Sequence, residues 1–209
     1  MLRDSAYWDE FYSLEHDEIK EPSKFAKFIF NNFLRNKNKA SLIEFGCGNG
    51  RDSLYFNAKG IDVVAIDGSH ITIENLQKQN QKASWICADF TAPLNLKDKF
   101  DICYSRFTLH AIDDIAELGL IKNVKNLLKP SGLFVVEARS INDDKFGVGK
   151  AVGEREFISD GHYRRFIDQD IFKANLIANG FKVISIEQSN QFAPTPGQNC
   201  VCIRVIASL

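Results

Sequence analysis

Leu42-Ile43-Glu44-Phe45-Gly46-Cys47-Gly48-Asn49-Gly50-Arg51-Asp52 is the stretch that decides the fold of this chain. A short apolar strand runs into three glycines at every second position, and the turn opens a helix. Glycine has no Cβ and tolerates left-handed dihedrals, so a ligand can lie directly on the backbone of such a turn. The N–H groups of the following helix N-terminus point at the same place. A second apolar run, Ile61-Asp62-Val63-Val64-Ala65-Ile66-Asp67, ends in an acid. A carboxylate there accepts both hydrogen bonds of a ribose diol. Strand, glycine turn, helix, strand and acid make up the nucleoside half of an α/β cofactor site.

The spacing narrows the cofactor. The dinucleotide fingerprint G-x-G-x-x-G needs its third glycine where this chain has Arg51. The pattern Glu44-x-Gly46-x-Gly48-x-Gly50 instead resembles motif I of the class I S-adenosylmethionine-dependent methyltransferases. That cofactor has a sulfonium, an amine and a carboxylate, but no pyrophosphate. Glu44 is favourable beside the cation and would be unfavourable beside a pyrophosphate.

At 209 residues the chain fits one domain with a real core. Hydrophobic content of 44% and charged content of 25% suit a soluble globular protein. A net charge of −1 gives no footing for a nucleic-acid backbone. No apolar run is long enough for a bilayer, and Met1-Leu2-Arg3-Asp4-Ser5 lacks a signal-peptide core, so a cytoplasmic protein is expected. Five cysteines, Cys47, Cys87, Cys103, Cys200 and Cys202, are odd in number and lack zinc-ribbon spacing. They read as free buried thiols, four of them in strands. No carboxylate or histidine cluster has metal-ligand spacing, so no metal is expected.

Outward from the glycine turn, strands and helices alternate. Strands are expected over 41–46, 61–67, 83–88, 100–105 and 133–138, and helices over 51–58 and 69–79. A long amphipathic helix carries Ile115, Leu118, Ile121, Val124 and Leu128, and Lys129-Pro130-Ser131-Gly132 stops it. Residues 139–166 break the rhythm and read as a long irregular loop. Asp168 then caps a helix that Gly180 ends, and strands 181–187 and 199–206 close the chain around a loop with Pro194, Pro196 and Gly197. Upstream, Tyr7, Trp8, Phe11 and Tyr12 share a helical face, and a helix over 23–33 follows Pro22. The expected architecture is α/β and Rossmann-like. It has a mostly parallel seven-stranded sheet with an antiparallel last strand, helices on both faces, and residues 1–39 as an N-terminal helical cap on one domain, 40–209.

The closing pair of strands carries the same resemblance, which spans roughly 40–209. It implies that Gly46, Cys47, Gly48, Asn49 and Gly50 pass under the methionine part of S-adenosylmethionine and that Arg51 pairs with its carboxylate. Asp67 takes the ribose, with Gly68 and Ser69 beside it. Asp89 takes the adenine amino group, with the Phe90 backbone N–H next to it, and Ser105 and Arg106 flank the amino-acid tail. S-adenosylhomocysteine would be the product. Tyr7 and Trp8 either close over the cofactor or merely pack on the domain.

Methyl transfer needs alignment and, for some acceptors, a base. His110, just past the fourth strand, is the base candidate, although a histidine there also fits a structural role. Glu137 and Arg139 share one side of the fifth strand and are expected at the pocket rim. With Arg106, Arg164 and Arg165 they form a candidate anion site, since arginine forks suit carboxylate and phosphate. Surface salt bridges would explain the same arginines. His162 and Tyr163 are further candidates. The acceptor is expected to be a small anionic or sugar-like molecule, methylated most readily at oxygen.

The motif set looks most like small-molecule methyltransferases of the tellurite-resistance and thiopurine type. The tail is more weakly similar to methyltransferases of bacterial surface-polysaccharide (capsule) biosynthesis. Tyr104-Ser105-Arg106-Phe107 stands where base-methylating relatives of this fold carry Asn/Asp-Pro-Pro-Tyr/Phe, which argues against nucleic acid. Two other readings stay open: an NAD-dependent oxidoreductase, disfavoured by Glu44 and Arg51, and a non-catalytic S-adenosylmethionine-binding regulator. Whether the chain is a monomer or a dimer is not legible in its residues.

Overall fold

The computed structural model describes residues 7–10, 21–78, 83–194 and 197–209. Met1 to Ser5, Phe11, Tyr12, Gln79 and Pro196 lie outside the described residues.

Seven strands form one sheet: β1 (Ser41–Phe45), β2 (Asp62–Asp67), β3 (Ser84–Cys87), β4 (Phe100–Arg106), β5 (Leu128–Arg139), β9 (Lys182–Ser189) and β10 (Cys202–Ser208), in the order β3-β2-β1-β4-β5-β10-β9. β1 pairs in parallel with β2 on one side and β4 on the other, with Leu42 opposite both Val63 and Ile102. β10 runs antiparallel between β5 and β9. The order reverses between β1 and β4, so a ligand is expected outside the carboxyl ends of those two strands. The fold class read from the sequence matches this sheet.

Alternation along the strands divides the core in two. Ile43, Phe45, Cys103, Phe134 and Val136 face Leu120, Ile121 and Val124 of α4 (Asp114–Leu127) and Phe172 and Leu176 of α5 (Gln169–Ala178). Leu42, Val63, Ile102, Tyr104 and Val135 face Phe25 and Ile29 of α1 (Lys24–Ile29), Phe56 of α2 (Arg51–Ala58), and Leu76 of α3 (His70–Lys78). Successive strand residues point to opposite faces, and both faces are covered, so the strands read as nearly continuous apolar runs.

The helix ends follow from their caps. Ser23, Asp113 and Asp168 each accept a backbone N–H of the first turn of α1, α4 and α5, a bond worth about 1 kcal/mol. α1 continues as a π-helical turn, Phe30–Leu34.

Three expectations are corrected. Residues 139–166 are not an irregular loop: β6 (Lys150–Ala151), β7 (Glu156–Ser159) and β8 (His162–Arg165) form a second, antiparallel sheet. On α4, Ile115 is 82% exposed and Leu118 is also exposed, whereas Glu117 and Asn123 are buried. Glu117 and Asn123 can sit inside because both are satisfied: Glu117 takes Arg165 and Asn175, and Asn123 donates to the carbonyls of Phe90 and Ala92. Leu128 belongs to β5 rather than to the helix. Finally, Cys87 is exposed and Cys200 precedes its strand, while all five thiols are free. No described helix is long and apolar enough to cross a membrane.

Candidate cofactor and acceptor site

The glycine turn has the expected backbone. Gly46, Gly48 and Gly50 have φ of +72°, +51° and +75°. The N–H groups of Gly46 and Cys47 both donate to the Ile66 carbonyl, at 2.8 and 3.1 Å. Asp67 closes the arrangement: its carboxylate accepts from Gly48 N–H at 2.8 Å and from Ser69 N–H at 2.9 Å. Burial raises the Asp67 carboxyl above its ordinary value, and these backbone donors work against that rise. The two elements singled out in the sequence are thus fastened to each other by the acid between them.

Beneath the turn lies a buried polar layer. Glu44 accepts the Ser53 hydroxyl from the first turn of α2. Asp52 accepts the Ser23 amide and hydroxyl, each at 2.7 Å, and the Tyr104 hydroxyl at 2.8 Å. One carboxylate thereby ties α1, α2 and β4 together. The sequence reading passed over Ser23, Asp52, Ser53 and Tyr104. The available signal was an acid and a hydroxyl in the helical turn directly after the glycines. Arg51 Nε is 3.9 Å from Asp52 Oδ1, and its side chain remains partly exposed.

At the end of β3, Asp89 accepts the Thr91 amide and hydroxyl, at 3.0 and 2.6 Å. Burial alone would raise its carboxyl, but the Thr91 bonds hold it below the ordinary value. The Phe90 ring packs in the core against Phe45. At the end of β4, the hydroxyl of Ser105 is buried with no hydrogen-bond partner among the described residues.

Residues 7–10 are helical and bridge the end of β2 and the small sheet. Asp9 accepts the Ser69 hydroxyl at 2.6 Å, and Tyr7 stacks on His162 of β8 with ring centroids 4.6 Å apart. Trp8 meets Tyr7 edge-on at 5.2 Å.

The other wall follows β4. Phe107 has φ of +57°, a strained setting for an aromatic residue. Its ring lies 4.2 Å from the Arg106 guanidinium and 5.6 Å from the His110 ring. Burial, then the charges of Arg164, Arg139, His162 and Arg106, push His110 well below the ordinary imidazole value. The imidazole is therefore neutral at pH 7. Arg164 Nη2 sits 2.8 Å from His162 Nε2. His162 and Tyr163 are buried strand residues rather than members of a loose loop.

The expected five-member anion site does not assemble. Arg165 is fully buried and bonds Asp114 and Glu117, so its charge is taken up by α4. Glu137 is not at the rim: it is buried between Arg106 at 2.9 Å and Arg204 at 2.7 Å. Arg139 pairs with Asp143 at 2.9 Å. The side chains that do gather are His110, His162 and Arg164, with Phe107 between them and Arg106.

A family model described as "Methyltransferase domain" matches residues 14–186. A malonyl-[acyl-carrier protein] O-methyltransferase of Pseudescherichia vulneris is 29% identical over 100 residues, covering 47% of this chain and 39% of that protein. A probable S-adenosyl-L-methionine-dependent methyltransferase, TehB, of Haemophilus influenzae is 28% identical over 107 residues, covering 49% of this chain and 37% of that protein. The chain thus spans under two fifths of the length of either curated relative. Among solved structures, the glycopeptide N-methyltransferase MtfA complexed with sinefungin superposes with a TM-score of 0.70. It has 16% sequence identity, over 91% of this chain and 94% of that one, a likeness of fold.

Proposed function

Because the chain belongs to the methyltransferase-domain family of class I S-adenosylmethionine-dependent enzymes, we propose that it transfers the methyl group of that cofactor to oxygen of a small anionic acceptor. The observation that carries this reading is the Asp67 carboxylate bound to Gly48 and Ser69, one strand from the switch point of the sheet. A ribose diol placed there meets a fixed acceptor, and the methionine part extends over the Gly46–Gly50 backbone. Glu44 lies buried under that turn, where it accepts the Ser53 hydroxyl, and Arg51 stands at its edge for the carboxylate. When bound, the cofactor supplies an electrophilic methyl carbon; the chain's own residues bind, align and exclude water.

Tyr7 and Trp8 form the lid of this site, anchored by Asp9 on Ser69 and by the stack on His162. The acceptor meets the wall of Phe107, His110 and Arg164 beside the Tyr7–His162 stack. Oxygen as the acceptor atom is supported by the name of the first relative, and the anionic character by Arg164 of that wall. A sugar acid is one such acceptor, in keeping with the weaker likeness of the tail to surface-polysaccharide enzymes.

Calorimetric titration with S-adenosylhomocysteine, with NAD as control, tests the cofactor assignment. Saturable binding of S-adenosylhomocysteine alone is expected. Replacing Asp67 by Asn is expected to weaken it by roughly 10- to 100-fold, the range of a hydrogen bond to a charged group. Binding of NAD alone would strip Glu44, Arg51 and Asp67 of their cofactor roles.

A further inference from the structure

The wall that faces the acceptor holds a cation to spare and no available base. Arg106 and Arg139 each have a carboxylate at 2.9 Å. Arg164 has none within salt-bridge distance among the described residues, and its buried Nε has no hydrogen-bond partner. His110 Nδ1 is likewise buried and, among the described residues, unpartnered. Burial and the neighbouring Arg139 cation lower the Arg164 guanidinium from its ordinary value, a disfavoured charge that an anion would relieve. Asp143 and Asp160 offset this only in part.

The same wall offers little to take a proton: His162 Nε2 already accepts from Arg164 Nη2 at 2.8 Å. Glu137 is held on both oxygens, by Arg106 and Arg204. Asp143 is held on both by Arg139. His110 is neutral but stripped of basicity by burial and by Arg164, Arg139, His162 and Arg106 around it. From the lid, the titratable group close to Arg164 is the Tyr7 phenol. A hydroxyl or amine acceptor would need a base that this wall lacks. An acceptor that arrives as an anion would not.

We propose that the acceptor is a carboxylate, gripped by the unpartnered nitrogens of Arg164 and His110, and that the product is its methyl ester. The proposal rests on the cofactor reading above. A lone pair of the carboxylate oxygen attacks the methyl carbon. The carbon–sulfur bond breaks with its electron pair moving to sulfur, leaving the neutral thioether. The carboxylate charge and the sulfonium charge cancel, and no proton is released. Methylation of a hydroxyl or an amine releases one.

The test uses the full chain, S-adenosylmethionine with a labelled methyl group, and a panel of aliphatic and aromatic mono- and dicarboxylates, each paired with its alcohol. Label is expected in the carboxylates and is recovered as methanol after mild alkali. No acid is released in weak buffer, and kcat is flat across the neutral pH range. Arg164→Gln is expected to raise KM for the carboxylate on the order of 10- to 100-fold while affinity for S-adenosylhomocysteine is unchanged. If that variant does not fold, Arg164→Lys keeps the charge, removes the fork and moves KM in the same direction. Four outcomes overturn the proposal: alkali-stable label in an alcohol, one proton per turnover, an acid limb in the pH profile that vanishes in Tyr7→Phe or His110→Asn, or no transfer to any carboxylate while S-adenosylhomocysteine binds. Absence of S-adenosylhomocysteine binding sinks the cofactor reading instead.

Discussion

The Thr108 hydroxyl donates to the Phe45 carbonyl at 2.7 Å, and so locks the segment after β4 against the glycine turn after β1. That bond also leaves no room at Gly46, where an added Cβ would fall 2.6 Å from Thr108 Oγ1. Replacing Gly46 by Ala should therefore cost on the order of 2–4 kcal/mol, from the positive φ and the clash together. Adding Thr108→Gly should recover the steric share and leave the dihedral share. Urea unfolding of the two single variants and the double variant checks this; strictly additive losses would refute the coupling.

Adjacent arginines should behave in opposite ways. Arg165→Met strands the buried Glu117 carboxylate and should cost about 3–5 kcal/mol of stability. Arg164→Gln should change stability by no more than about 1 kcal/mol, because no ion pair is broken. Urea midpoints separate the two, and equal losses would mean that Arg164 is structural.

Stability should carry a signature of Glu44. Burial, and next the Asp52 carboxylate, push its carboxyl well above the ordinary value of 4.5. The folded chain therefore keeps a proton that the unfolded chain gives up. This group's contribution is complete below the unfolded value of 4.5 and is lost as pH rises through the raised folded value. Glu44→Gln keeps a neutral side chain of the same shape and removes the titration. Relative to that variant, the natural chain should lose stability as pH climbs from 4.5 toward neutrality. Parallel curves across that window would contradict the assignment.

The proposed lid should be felt in cofactor affinity. Trp8→Ala removes an aromatic contact with Tyr7 and loosens the stack on His162. An aromatic pair is worth about 0.5–1.5 kcal/mol, so S-adenosylhomocysteine should bind up to about tenfold more weakly. Unchanged affinity in a folded variant would leave Trp8 as packing only.

Much of the candidate site's backbone was readable because it is local. Glu44, the three glycines and Arg51 lie within one strand–turn–helix, and Asp67 ends the next strand. Backbone geometry in such a unit depends on residue type and spacing, which the chain states directly. The sheet was readable for a similar reason: strands covered on both faces leave unbroken apolar runs. The small sheet was not. His162-Tyr163-Arg164-Arg165 has no apolar alternation, and only its pairing with β7 makes it a strand. Nor was the buried face of α4, where Glu117 lies inside and Ile115 outside, because Arg165 arrives from far along the chain to neutralise the acid.

The residues by themselves determined the order of strands and helices, the glycine turn and the acids at the strand ends, since each follows from neighbours a few positions apart. Tertiary structure alone decided which charges are left over. Arg106, Arg139, Arg164 and Arg165 are alike in the sequence, yet Glu137, Asp143 and the Asp114–Glu117 pair claim three of them. A charge is available to a ligand only if no opposite charge reaches it first, and that depends on distances set by the packing of elements far apart in the chain.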